Sequence, residues 1–306
     1  MTKNQNVGDD VKKIESFESF ESFKIKSISE LSDLAAGDLA TGCLVDDRRS
    51  WRGVLFDIDD TFTTAGKIEA TAFSSLWKLY QSGIKVVAVT GRPAGMCDHI
   101  ARMWPINAVV GENGAFYFMM QEVMQEGKIR KFLFKRYLCS PPSKERVMEV
   151  WKCIESQIPR ARIASDQNYR EFDLAIDFGE DVSPALSPLE IARIVEIFQS
   201  HGARAKVSSI HVNGWWGDYD KLSAVKILFK EQWQVDLDNA DENLRYIFCG
   251  DSPNDEPMFR FFKNSVGVQN VKRFLQSMQF PPRYITDASC GEGFAEVVNL
   301  VLRDNA

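Results

Sequence analysis

Val54-Leu55-Phe56-Asp57-Ile58-Asp59-Asp60-Thr61 sets a short apolar run against three carboxylates. An apolar run of this length between polar flanks reads as a buried strand. In open parallel sheets the chemistry lies just outside the carboxyl ends of the strands. Asp57, Asp59 and Asp60 therefore stand where a catalytic site is expected. Taken alone, the stretch fits an ordinary charged loop equally well, so the rest of the chain decides.

Working outward, residues 67–82 read as a helix, with Ile68, Ala72, Leu76 and Tyr80 recurring every fourth position and Gly83 ending it. Residues 84–89 form a second apolar strand ending in Thr90-Gly91-Arg92-Pro93, and Pro93 opens a further helix to about Met103. Residues 107–110 form a third strand, ending in Gly111-Glu112-Asn113-Gly114. The order β-α-β-α-β predicts an α/β fold with a doubly wound, mostly parallel sheet.

The rhythm then changes. Residues 116–123 and 129–138 read as a hairpin around Gln125-Glu126-Gly127-Lys128. A helix over 143–158 follows, then a strand over 171–178. A second helix opens with Ser187-Pro188-Leu189-Glu190, and a strand over 203–212 closes the segment. Strands and helices no longer alternate one for one, which predicts an inserted α+β cap over 118–212. Alternation resumes with a helix from Lys221 to Trp233 and a strand over 244–249 that ends in Gly250-Asp251-Ser252-Pro253-Asn254-Asp255. The catalytic core is thus expected over 51–117 and 213–306.

Composition narrows the function. A formal net charge of -6 gives no footprint for nucleic acid. No apolar run reaches the length of a membrane span, and the first twenty residues lack a secretory core. Six scattered cysteines without a CxxC pair fit reduced thiols, so the expectation is a cytoplasmic enzyme. Residues 1–50 differ from the rest and carry a threefold Glu-Ser-Phe repeat from Glu15 to Phe23. They read as a partly flexible or loosely docked extension, or as a partner-binding segment, with a short helix over 27–34.

Strand ends now bring together Asp57, Asp59, Asp60, Thr90, Asp251 and Asp255, and Lys221 opens a helix that can point at the same edge. Crowded carboxylates raise one another's pKa unless a cation joins them. Oxygen ligands without His or Cys select a hard cation, of which Mg²⁺ is the usual one. A lysine and a threonine hydroxyl would supply donors to phosphate oxygens. Asp57 suits a nucleophile that forms an aspartyl-phosphate, and Asp59 suits the acid/base.

Asp57-Ile58-Asp59-Asp60-Thr61, Thr90-Gly91-Arg92, Lys221 and Gly250-Asp251-Ser252-Pro253-Asn254-Asp255 resemble, in order and spacing, the four motifs of the haloacid dehalogenase (HAD) superfamily of phosphatases. The cap's position between the second and third motifs resembles the type IIB subclass, which includes many sugar-phosphate phosphatases. The resemblance covers roughly 51–306. It implies a Rossmann-like core, Asp57 as nucleophile and Asp59 as acid/base. It further implies phosphate binding by Thr90, Gly91 and Lys221. Mg²⁺ would be held by Asp57, the Asp59 carbonyl and Asp251, with Asp255 supporting it directly or through water. Asp60 stands where glycine is commonest. Leu222 stands where glycine is common, which leaves Lys226 as an alternative lysine.

In the cap, Arg162 and Arg170 would anchor a second anionic group of a substrate, or else are surface residues. His211 and Asn213 lie where a cap contributes substrate contacts. Trp215 and Trp216 either stack on a sugar ring or pack at the junction. Glu112 and Asn113 either touch substrate or order the cap hinge. The expected partner is a small phosphorylated metabolite, with neither nucleic acid nor membrane. The leading expectation is a Mg²⁺-dependent phosphomonoester hydrolase. The alternatives are a sugar phosphomutase and a catalytically silent scaffold on the same fold.

Overall fold

The computed structural model describes residues 25–31, 51–208 and 210–305. The Glu-Ser-Phe repeat and Cys43 lie outside them. So do residues 32–34 of the helix expected over 27–34; within the described part, residues 29–31 form one turn. Just before that turn, strand β1 (Lys26–Ser27) pairs in parallel with Tyr284–Ile285. This piece of the extension is an edge strand of the core, fastened by backbone hydrogen bonds.

The stretch that leads into Asp57 begins with β2 (Gly53–Phe56), every residue of which is buried. Helix α1 (Ala70–Gln81) leads to β3 (Lys85–Val89), and α2 (Ala94–Met103) leads to β4 (Ala108–Gly111). In α1 the buried stripe is Ala72, Leu76 and Leu79, whereas Ile68 and Tyr80 are exposed. A strict four-residue spacing drifts by about 40° per step around a 3.6-residue helix. Its two ends therefore leave the face that Ala72 and Leu76 bury.

Strands β5 (Phe116–Gln125) and β6 (Lys128–Tyr137) form the expected hairpin, turning at Glu126 and Gly127, both at positive φ. Its place differs from the expectation. Phe118 pairs antiparallel with Val109, so the hairpin extends the core sheet. Phe116 and Phe118 pack into the core on one face of that sheet and Tyr117 into the core on the other. The cap therefore begins near residue 143 instead of at 118.

The cap comprises α3 (Lys144–Gln157), β7 (Arg162–Ile163), β8 (Asp173–Asp177), α4 (Pro188–Ser200), β9 (Arg204–Val207) and β10 (His211–Trp215). Ser143 caps α3, and Ser187 with Glu190 forms the full capping box of α4. The four strands make an antiparallel sheet in the order β7-β8-β10-β9. One face packs on the two helices through Val150, Ile154, Ile194, Phe198 and Val212. The single strand expected over 203–212 is two strands folded back at Ser208. The Ser208 hydroxyl accepts the His211 N–H, and the Ser208 N–H donates to the His211 carbonyl. Strand β10 runs on to Trp215, so the cap also ends later than expected.

The core resumes with α5 (Lys221–Trp233), α6 (Ala240–Asn243), β11 (Tyr246–Gly250), α7 (Glu256–Phe261), β12 (Asn264–Gly267), β13 (Tyr284–Ile285) and α8 (Cys290–Asp304). The core sheet runs β1-β13-β12-β11-β2-β3-β4-β5-β6. It is parallel as far as β4, and the β4–β5 and β5–β6 pairs are antiparallel. Phe56 lies opposite Cys249 on one side and Ala88 on the other. The three strand ends that carry Asp57, Thr90 and Asp251 therefore emerge side by side. No helix among the described residues is long and apolar enough to cross a membrane.

Candidate active site

Lys221 is the first residue of α5, whose N-cap is Asp220. The Lys221 side chain is 2% exposed, and its Nζ donates to Asp57 Oδ1 at 2.7 Å and Asp255 Oδ1 at 2.8 Å. A charge this deep is tolerated only when paired, which singles out Lys221 over Lys226. Lys226 instead pairs with Asp238 near the surface. Burial works against the Lys221 charge, but Asp255 and Asp57 more than offset it and hold its pKa above the ordinary lysine value. The approach of α5 depends on Gly114. A Cβ there would lie 2.1 Å from the Asp220 carbonyl oxygen, and its φ is +110°.

Asp57, Asp251 and Asp255 are all buried, with one carboxylate oxygen of each within 4.8 Å of the others. Burial pushes the Asp57 carboxyl up to about 8, although Lys221 pulls it down. Burial and then the charges of Asp57 and Asp255 drive Asp251 well above the carboxylate range. The other oxygen of Asp255 accepts the N–H groups of Asp251 and Ser252, tying the fourth-motif turn together.

Asp60 has φ +54°, and its carboxylate pairs with Arg273 at 3.1 Å. Its carbonyl accepts Asn270 Nδ2 at 2.9 Å. The left-handed backbone explains why glycine suits this position, and Asp is among the residues that tolerate it. Asp60 thus shapes the turn and neutralises Arg273.

Asp59 is held by a residue to which the sequence reading gave no role. Arg92 Nε lies 3.0 Å from both Asp59 oxygens, and its Nη2 lies 2.7 Å from Oδ1. The same guanidinium reaches the cap acids Asp166 at 3.7 Å and Glu180 at 3.6 Å. Thr90 is fully buried and its Oγ1 accepts the Arg92 N–H, which leaves its own hydroxyl proton free to donate.

Arg170 carries the second link between core and cap. It is 1% exposed, pairs with Asp166 and Asp173, and donates to the Gly91 carbonyl at 2.9 Å. Its donors are thus engaged within the protein. Glu112, also buried, accepts N–H groups from Ala94 in the core and from Glu171, Phe172 and Asp173 in the cap. Burial and then the Asp173 charge raise its carboxyl to about 8, while these donors pull it back. Of the two roles considered for Glu112, ordering the hinge is the one its contacts describe. A single acid in the sequence gives no hint of this, because its partners are backbone groups.

His211 and Asn213 share the core-facing side of β10 and line the gap over Asp57 and Asp59. Asn213 donates to Asp173 at 3.0 Å. His211 Nε2 lies 2.9 Å from Glu180 Oε2 without hydrogen-bond alignment, so this buried nitrogen has no bonded partner among the described residues. Arg162 is not brought to the site. It is exposed on the edge strand β7 and its Nη1 donates to the carbonyls of Pro159 and Ala161. Trp215 and Trp216 are buried in the core and cap packing respectively.

A mainly parallel sheet, a buried Asp-Lys-Asp cluster at its edge and an α+β cap inserted between the second and third motifs define a class. That class is the one to which the chain is similar: haloacid dehalogenase-like hydrolases, with core and cap folded as in solved structures of subclass IIB. Residues 54–140 match the family model for haloacid dehalogenase-like hydrolases. A phosphoglycolate phosphatase from Methanothrix thermoacetophila is 24% identical over 246 residues, covering 80% of this chain and 95% of that protein. The crystal structure of Thermoplasma acidophilum protein 0175 superposes with a TM-score of 0.60 at 20% identity, covering 82% of this chain and 98% of the other. The HAD subclass IIB sugar phosphatase BT4131 gives a TM-score of 0.54 at 13% identity, covering 81% and 98%.

Proposed function

We propose that this phosphatase is a Mg²⁺-dependent phosphomonoesterase of the cytoplasm, acting on a small phosphorylated metabolite of the sugar-phosphate kind through an aspartyl-phosphate on Asp57. The observation that carries the reading is the buried Asp57–Lys221–Asp255 cluster beside Asp251.

The donor set fits a hard divalent cation. Three buried carboxylates face one ammonium, and their convergent oxygens are hard ligands. Asp57, Asp251 and the Asp59 carbonyl would hold the ion, with Asp255 in support. Bound there, Mg²⁺ would neutralise charge on the phosphoryl oxygens.

The remaining work falls to side chains. Asp57 attacks phosphorus and the ester oxygen leaves. Asp59 delivers a proton to that oxygen, then takes one from the water that cleaves the acyl-phosphate. Arg92 fixes the direction of the Asp59 carboxylate between these steps. Lys221, the Thr90 hydroxyl and the Gly91 region supply donors to the phosphoryl oxygens. The cap encloses the leaving group. In the arrangement described, the gap above Asp57 and Asp59 has a volume of about 20 Å³. That is room for roughly one water, so the cap swings away for substrate to enter.

Purified protein is expected to release phosphate from a panel of sugar phosphates with Mg²⁺ and to stop when the ion is chelated. Unchanged turnover in Asp57→Asn would refute the reading. Isomerised sugar phosphate without net phosphate release would replace it with a mutase.

A further inference from the structure

The gap over Asp57 is not the only space between core and cap. Beyond Asn254, which borders both, lies a cavity of about 350 Å³. That is the size of a small-ligand pocket. Lys221, whose Nζ bonds Asp57, forms part of its wall.

Its lining follows from the cap sheet's register. Lys206 is opposite Asn213 and Arg204 is opposite Trp215. Residues directly opposite share a face, and alternate residues of a strand do too. Arg204, Lys206, His211 and Asn213 therefore share one face; His211 and Asn213 are buried there, whereas Arg204 and Lys206 on the edge strand β9 are exposed, and Ala205, which joins the cap's apolar packing, also borders the cavity. The same face is acidic toward β8, where Asp173 is already bound by Arg170 and Asn213. It becomes basic toward β9.

The charges on the basic side are unequal. Arg204 is paired with Asp218. Lys206 has no ion-pair or hydrogen-bond partner among the described residues. The acids bordering the spaces that Lys206 lines are engaged elsewhere: Asp220 caps Ser223 N–H, Asp238 pairs with Lys226, and Glu256 accepts the Gln279 N–H. A second donor on the wall is Asn113. It is 3% exposed and its Nδ2 has no partner among the described residues. Gln199 and Asn254 add further amides. The cavity wall thus combines amide donors with the Lys206 ammonium, which has no ion-pair partner among the described residues, and with the Asp220 carboxylate, whose charge its backbone partner does not cancel.

We propose that this cavity takes the distal part of the substrate's leaving group and that Lys206 selects a carboxylate or second anionic group there. The proposal rests on the phosphomonoesterase reading and names the substrate class within it: phosphomonoesters of small hydroxy acids or sugar acids. It assigns specificity to Lys206, in place of the occupied Arg170 and the distant Arg162.

A matched pair of compounds tests it. 3-Phosphoglycerate and glycerol 3-phosphate share a skeleton and differ by a carboxylate against a hydroxymethyl group. A charge-assisted contact is worth about 1.5–3 kcal/mol, so its loss is roughly a tenfold effect or more. Lys206→Ala is expected to raise KM for 3-phosphoglycerate at least about tenfold, to leave KM for glycerol 3-phosphate within about twofold, and to keep the melting temperature. Calorimetric binding of 3-phosphoglycerate to Asp57→Asn protein, with and without Lys206→Ala, reads the same contact without turnover. Equal KM changes for the two esters would overturn the proposal, as would binding that ignores Lys206. Absence of turnover in the parent enzyme, with Lys206-dependent binding intact, would instead remove the hydrolase reading and leave the anion site standing.

Discussion

Replacing Lys221 with methionine removes the ammonium between Asp57 and Asp255 while keeping a side chain of similar length. In the parent protein the ammonium lies 2.7 and 2.8 Å from the two carboxylates and is 2% exposed. Breaking a buried pair by deleting one partner costs about 3–5 kcal/mol, because it strands the other charge. At about 2–4 °C per kcal/mol for a chain of this order of size, the melting temperature of metal-free protein should fall by about 10 °C at pH 8. The effect should depend on pH in a fixed sense. Burial already raises Asp57 to about 8, and loss of Lys221 raises it further. A carboxyl whose folded pKa exceeds its unfolded value binds more protons in the folded state, so stability falls as pH rises between the two values. The deficit of Lys221→Met should therefore shrink toward pH 5. Differential scanning calorimetry in the presence of a chelator at pH 5 and pH 8 measures both quantities. A deficit that is absent at pH 8, or that is equal at the two pH values, would refute the assignment of Lys221 as the counter-ion of this cluster.

Gly114→Ala should cost at least about 2 kcal/mol of stability and lower kcat, because the new Cβ collides with the Asp220 carbonyl and shifts the start of α5 that carries Lys221; thermal melts and steady-state kinetics check this. The two cap arginines should part company. Arg170→Ala strands Asp166 and Asp173 and should destabilise by about 3–5 kcal/mol, whereas Arg162→Ala should stay within about 0.5 kcal/mol and leave KM unchanged. Denaturant titration of the two variants measures the contrast.

Much of the core and part of the cap were legible because their evidence is local. The apolar run before Asp57, the glycine after α1 and the Ser187–Glu190 capping box each act over a few residues. Thr90, Lys221 and Asp251 could be set on one edge because parallel alternation fixes where strand ends point. What stayed hidden depends on partners distant in sequence. The hairpin over 116–137 has the same alternation whether it pairs with β4 or within the cap, and only the Val109–Phe118 pairing decides. Strand β1 is two residues long and carries no period at all. Arg92 looked like part of a turn, since its carboxylate partner comes from 33 positions earlier. The fold back at Ser208 coincides with Ser208-Ser209, a short polar break that marks a turn only weakly between the flanking Val207 and Ile210.

The placement of β2 between β3 and β11 also bears on how the chain is made. Val54 finds Val86 soon after synthesis, but its other neighbour is Ile247. Nearly two hundred residues separate them, which at about 5–20 residues per second is roughly 10–40 s on the ribosome. Throughout that interval β2 has one unpaired, wholly apolar edge, the kind that recruits strands from other chains. The cap, with its own packed interior, can fold during the wait. Asp57 and the acids Asp251 and Asp255 meet only late in translation, so a chain ending before residue 221 would carry Asp57 without Lys221, Asp251 or Asp255.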